Sequence, residues 1–174
     1  IDGAYVALGG GYASHDVWGE FNDIQSTPDF AVTGFFATGR IGYDKQIGDF
    51  VVGGFGEINY HTLEFAGQSI DEIDFEYVAG VRGGVVVGQS LLYANGGYSW
   101  MPVDVPGLDL NGPFAGLGIE TKLGGGFNLA LEGRHTWRSD DIDAACVSVG
   151  GSHFLLDEVK DNAWSGRAVL VRRF

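Results

Sequence analysis

The sequence predicts an all-β fold, an eight-stranded antiparallel up-and-down transmembrane β-barrel that takes in residues 1–174 as a single domain. Three observations predict it. Apolar and polar residues alternate with a period of two along most of the chain, as they do in strands with two unlike faces. Short glycine-bearing turns and longer connections alternate strictly between those strands, the plan of a membrane barrel. Aromatic residues gather toward strand ends, where such a barrel meets the two membrane interfaces.

The first strand is expected over 3–13, ahead of a long connection at 14–30. The second, 31–45, puts Phe35, Ala37, Ile41 and Tyr43 on one face and Thr38, Arg40 and Asp44 on the other. QIGD (46–49) turns the chain into the third strand, 50–63, where Val52, Ile58 and Tyr60 oppose Glu57, Asn59 and His61. After 64–71 comes the fourth, 72–87, with Ile73, Phe75, Tyr77, Val81 and Val85 opposite Glu72, Asp74, Glu76 and Arg82. GQS (88–90) leads to the fifth, 91–103, and 104–111 to the sixth, 112–123, where Ala115, Leu117 and Ile119 oppose Glu120 and Lys122. GGG (124–126) joins the seventh, 127–139, with Phe127, Leu129, Leu131 and Trp137 opposite Glu132, Arg134, Thr136 and Arg138. The longest connection, 140–161, precedes the eighth, 162–174, where Trp164, Ala168, Leu170 and Phe174 oppose Ser165 and Arg167.

Alternation alone also fits a soluble sandwich or lipocalin, whose apolar face points inward. Two features favour the inverse. Gly39 and Gly42 flank the polar face, and Gly53, Gly80, Gly116 and Gly118 lie on or beside it, leaving room for long charged side chains in a narrow interior. The aromatics Tyr12, Tyr43, Phe50, Tyr60, Phe75, Tyr77, Trp100, Phe127, Trp137 and Trp164 suit two interfacial girdles. No window approaches the ~18–20 apolar residues of a membrane helix.

The ordered words GAYVALGGGYA, TGRIGYDKQIGDFVVGGFGEINY, YVAGVRGGVVVGQSLLYANGGYSW, FAGLGIETKLGGGFNLALEGRHTW and RAVLVRRF resemble the small porin-family outer-membrane barrels, similar in design to the OmpA/OmpX type. The resemblance implies an integral outer-membrane protein of a Gram-negative envelope, often a surface antigen, with its signal peptide removed. It implies contact with outer-membrane lipid and lipopolysaccharide. It also implies that Phe174 acts as the C-terminal aromatic read by the barrel-assembly machinery. The peptidoglycan-binding domain of full OmpA-like proteins does not occur in these residues.

Chemistry is sought first among the charges. Arg40, Glu57, Arg82, Glu120, Lys122, Glu132, Arg134, Arg138 and Arg167 should project into the lumen. Buried charges must pair, so they should interlock as a plug of an interior barely wide enough for side chains. The competing reading is the gate of a narrow, porin-like channel for ions or small solutes. Acids crowd the outer connections: Asp16, Glu20, Asp23 and Asp29; Glu64, Asp71, Glu72, Asp74 and Glu76; and Asp140, Asp141, Asp143, Asp157, Glu158 and Asp161. SDDID (139–143) offers several carboxylates to a divalent cation, but no EF-hand spacing is present and acidic loops are ordinarily just solvated. No metal and no cofactor is expected.

The net charge of −13 argues against nucleic acid. One cysteine, Cys146, excludes an intramolecular disulfide and leaves a free thiol or an inter-chain link open. His61 is expected inward near Asp74 and Glu76, with His15 and His153 in loops. His135 is expected at the lipid interface. Barrel enzymes that trim lipid A set a serine beside such a histidine, but here Ser139 lies ~13 Å along the strand, too far for nucleophile activation. The expected role is therefore non-enzymatic: envelope integrity and display of acidic loops, with a narrow channel or loop-mediated recognition of an unknown ligand or host as alternatives.

Overall fold

The computed structural model describes residues 1–21, 30–65, 68–102, 109–140, 145–149 and 152–174, with side chains outside the stretches 17–32, 62–74, 103–110 and 139–161. The described strands are β1 (Gly3–Phe21), β2 (Phe30–Ile47), β3 (Phe50–Phe65), β4 (Gln68–Val87), β5 (Ser90–Pro102), β6 (Asp109–Gly124), β7 (Phe127–Asp140), β8 (Ala145–Val149) and β9 (Ser152–Arg173). Each pairs antiparallel with the next around the wall, β7 pairs with β9, and β9 returns to β1 to close the sheet. β8 stands outside this ring as a short partner of β9 alone. Eight strands thus form the wall, as the alternation predicts.

Closure fixes the tilt. Pairing runs from Leu8 to Gly39, Ile58, Tyr77, Trp100, Asn111, Ser139 and Lys160, then returns to β1 at Trp18, ten residues further on. A stagger of that size makes the strands of an eight-stranded barrel lean by ~35–45° from its axis. Because the stagger is even, every strand keeps one face inward all the way round.

Three tight turns mark one end of the barrel. Gly48 and Gly88 each take φ +63° as the first residue of a two-residue hairpin, a left-handed conformation that suits glycine. The other described ends reach well beyond the expected strands. β1 continues through 14–21, and β3 and β4 approach one another across 64–71. The last connection, expected as loop at 140–161, contains β8 and the start of β9. Extended strands of this kind keep their backbone hydrogen bonds beyond the apolar belt, so the ladder does not stop where the apolar alternation does.

The faces are inverted relative to a soluble barrel. Leu8, Phe35, Ile41, Val81, Leu117, Leu131 and Leu170 lie exposed on the outer wall, whereas Arg40, Glu57, Arg82, Glu120 and Arg134 are buried. Around the aliphatic belt stand two aromatic bands. Tyr43, Phe50, Phe127 and Phe174 ring the tight-turn end. Tyr12, Phe35, Tyr60, Phe75, Tyr98, Trp100, Trp137 and Trp164 ring the other, with edge contacts such as Tyr12–Phe35 at 5.3 Å and Tyr60–Phe75 at 5.6 Å. An apolar wall this continuous suits hydrocarbon, since exposed apolar patches in soluble monomers are rarely larger than a few hundred Å².

Candidate functional site

The inward positions of the strands build a lumen in three tiers. Nearest the tight turns, Asp44 of β2 and Glu120 of β6 are fully buried. Arg82 of β4 lies between them. Its Nε donates to Asp44 Oδ1 at 3.0 Å and its Nη1 to Glu120 Oε2 at 3.1 Å, with a further close contact to Asp44 Oδ2. Arg173 of β9 bridges the same two acids, at 2.8 Å to Asp44 and 2.7 Å to Glu120. Asn128 Nδ2 donates to Glu120 at 2.6 Å.

The middle tier gathers Arg40, Glu57, Glu132, Arg134 and Arg167 from β2, β3, β7 and β9. Arg40 donates to Glu57 at 2.7 Å and, through Nη2, to Glu132 at 3.0 Å. Arg134 donates to Glu57 at 2.9 Å and to Glu132 at 3.0 Å. Arg167 Nη1 reaches Glu57 Oε1 at 2.5 Å. The outermost tier holds Glu76, which receives Arg138 closely and lies 3.2 Å from His61 Nε2. Ser99 Oγ accepts from Arg138 Nε at 3.2 Å.

The tiers are joined. Asn59 Nδ2 donates both to Glu57 at 2.9 Å and to Glu76 at 2.8 Å, tying the middle tier to the outermost. Tyr93 donates to Glu132 at 3.0 Å while its ring lies 5.1 Å from the Arg82 guanidinium, tying the middle to the innermost. Aromatic rings fill the space between charges. Tyr5 stacks on Arg82 at 4.5 Å, Phe55 on Arg40 at 4.5 Å, and Phe114 on Arg134 at 4.2 Å. Such stacking adds cation–π attraction in a region of low dielectric.

Glycines opposite these rings make the packing possible. Tyr5 pairs across the strand with Gly42, and Phe55 with Gly80. A Cβ on Gly42 would fall 2.5 Å from the Tyr5 ring, and one on Gly80 would fall 2.8 Å from Phe55. These inward glycines therefore hold space for a neighbour's ring, a finer role than leaving general room for charges.

Arg40, Glu57, Arg82, Glu120, Glu132, Arg134, Arg138 and Arg167 all lie buried in the tiers. Lys122 does not: it is exposed at the tight-turn rim. It sits where the β6–β7 register shifts between Lys122 and Gly124, two residues past Glu120, so its side chain has left the lumen. The tiers also include Asp44, Glu76 and Arg173, beyond the charges expected to project into the lumen, together with His61, itself expected inward. For Arg173 the signal was available, since it continues the inward parity of Arg167.

His15, expected in a loop, is instead a buried member of β1, its ring 6.1 Å from that of His61. Glu76, counted among the outer-loop acids, is a lumen residue. Between these groups lies a small space of about 10 Å³, bordered by Arg134, Arg138, Arg167, Thr136, Ser165 and His61. His135 stands on the outer wall with its ring 4.4 Å from Trp137 and 4.2 Å from Trp164. Phe174 is exposed on that wall, and its amide donates to Ala4 O at 3.0 Å. Asp16 is exposed on β1. The side chains of Cys146, His153, Ser139 and the remaining connection acids, including those of SDDID, lie outside the described ones. Among the described residues no cluster of histidine, cysteine or carboxylate has the arrangement of a metal site.

No protein-family model and no curated protein sequence matches the chain. Its structure is similar to that of Neisserial surface protein A, with a TM-score of 0.55 and 15% identity over 98% of this chain and 97% of that one. The outer membrane protease OmpT of Escherichia coli matches with a TM-score of 0.51 and 6% identity over 99% and 97% of the two chains. OprG, an outer membrane protein of Pseudomonas aeruginosa, gives a TM-score of 0.48 and 13% identity over 99% and 97%. At such identities likeness speaks for architecture. Closed by β1 and β9, with its charges inside and its apolar residues outside, this chain has the fold of the outer-membrane β-barrels.

Proposed function

We propose that the protein is a non-enzymatic, integral barrel of a bacterial outer membrane whose lumen is a closed, ion-paired core. The observation that carries this reading is the continuity of the lumen network. From Asp44 and Arg173 at one end to Glu76 and Arg138 at the other, buried charges are bonded across the interior. Asn59 and Tyr93 bridge the tiers. A permeating ion would have to displace several charge-assisted bonds at each level, in a region where unpaired charge is costly.

In this reading the wall contacts lipid and lipopolysaccharide, and Phe174 presents its exposed ring to the assembly machinery. The outer connections, rich in acids, face the surroundings. The function then lies in envelope integrity and surface display, including any loop-borne recognition of a ligand or host. Chemistry on lipid at His135 is disfavoured by its surroundings, because two indole rings flank the imidazole where a nucleophile and its carboxylate partner would have to stand.

Single-channel recording of the refolded barrel in a planar bilayer tests the closed lumen. Protein shown to be folded and inserted should give no steady openings. Reproducible unitary conductance at neutral pH and moderate salt would replace the core reading with that of a narrow pore.

A further inference from the structure

Among the described residues the middle tier is not charge-balanced. Arg40, Arg134 and Arg167 bring three guanidinium groups to two carboxylates, Glu57 and Glu132, and each of the five residues is at most 6% exposed. Neither Nε of Arg134 nor Nε of Arg167, both buried, makes a hydrogen bond among the described residues, although that of Arg167 lies 3.6 Å from Glu132 Oε1. Both arginines border the space of about 10 Å³ that separates the middle tier from the outermost. The hydroxyl-bearing residues Thr136 and Ser165 border it as well. Its one bordering carboxylate, Glu76, already accepts from Arg138 and Asn59.

We propose that this space is a binding site for one monoatomic anion of the chloride class, held by Arg134 and Arg167 with help from the hydroxyls of Thr136 and Ser165. Sign follows from the leftover positive charge, which water can solvate but not neutralise, and which is expensive to leave alone at low dielectric. The narrowness of the space, which takes one small particle, favours a single-atom ion. Donor chemistry follows from guanidinium N–H and hydroxyl O–H groups, which offer protons and, in the guanidinium, charge. The anion completes the lumen network and leaves the barrel closed.

The test uses the refolded full-length chain in detergent. Thermal unfolding is followed in sodium chloride and in sodium gluconate at equal ionic strength, so that general screening is the same in both. Chloride should raise the midpoint saturably by about 2–6 °C as a ligand of the native state alone, and bromide should substitute for it. Arg167→Met removes the leftover charge and should abolish the difference between the two salts. Binding is read independently from the ³⁵Cl resonance, which the wild-type barrel should broaden, which bromide should sharpen again, and which Ser165→Ala should broaden less. Equal midpoints in the two salts, an unchanged chloride effect in a folded Arg167→Met barrel, or no broadening beyond that of unfolded chain would overturn the site.

Discussion

Arg167 and Glu57 stand 110 positions apart in the chain, yet Nη1 of one lies 2.5 Å from Oε1 of the other inside the barrel. The contact joins the closing strand β9 to β3, which is not its neighbour in the sheet. It is one of three arginine contacts on Glu57, the others coming from Arg40 and Arg134. Glu57 is thus the hub of the middle tier, and its loss would strand three cations around Glu132 alone. Glu57→Gln should destabilise the barrel by about 3–5 kcal/mol, the usual cost of removing one partner from a buried charge group. Urea unfolding in lipid vesicles measures it. A loss below about 1 kcal/mol would mean that the tier is solvated like a surface pair.

Lys122 and Arg82 offer a paired comparison, since one lies outside the network and the other in its innermost tier. Lys122→Gln should fall within about ±0.5 kcal/mol of the parent, as exposed substitutions do. Arg82→Gln leaves Asp44 and Glu120 with Arg173 as their one cation among the described residues and should cost several times more. Equal effects in the same urea assay would mean that Arg82 is held no more tightly in the network than Lys122.

Leu117 projects from the outer wall with 71% of its surface exposed. Leu117→Arg should cost about 2–4 kcal/mol if this position lies near the bilayer midplane. Leu117→Ala in the same vesicles supplies the control for lost side-chain volume. An arginine tolerated as readily as alanine would show that the wall does not face hydrocarbon.

Gly42 is expected to resist even a methyl group. Gly42→Ala pushes Tyr5 off the strand and away from Arg82, at a cost of about 1–3 kcal/mol. The same substitution made in a Tyr5→Leu background should cost much less, since the ring it strikes is gone. Additive losses in the double variant would place the strain elsewhere.

The period-two pattern made the wall legible because a closed barrel with an even stagger cannot switch faces along a strand. Every inward residue of β7 from Glu132 to Arg138 and every outward residue from Phe127 to Trp137 follows from parity alone. Parity is silent about depth, however, and depth decided the cases that sequence reasoning misplaced. Lys122 has the parity of Glu120 but lies beyond the rim, where a register shift redirects the strand. His15 has the parity of Ala13 and was missed because the apolar alternation ends before the β1 ladder does. Glu76 lay on the polar face of its predicted strand, yet its bond to Arg138 spans 62 positions and no local pattern encodes that. The pairing of Gly42 with Tyr5 likewise depends on register between strands, which period two leaves free.

The meeting of β1 with β9 also completes a charge balance. Without β9, the described lumen would hold five carboxylates, on Asp44, Glu57, Glu76, Glu120 and Glu132, against four guanidinium groups, on Arg40, Arg82, Arg134 and Arg138. The unfinished sheet is therefore an open trough with an acidic floor. The strand that seals it carries Arg167 and Arg173, which settle on Glu57 and on the Asp44–Glu120 pair. Electrostatic attraction then acts in the direction of closure, drawing β9 inward and arginine-side down. A nascent barrel stalled one strand short would expose both an unpaired edge and uncompensated negative charge, so completion removes two liabilities in a single step.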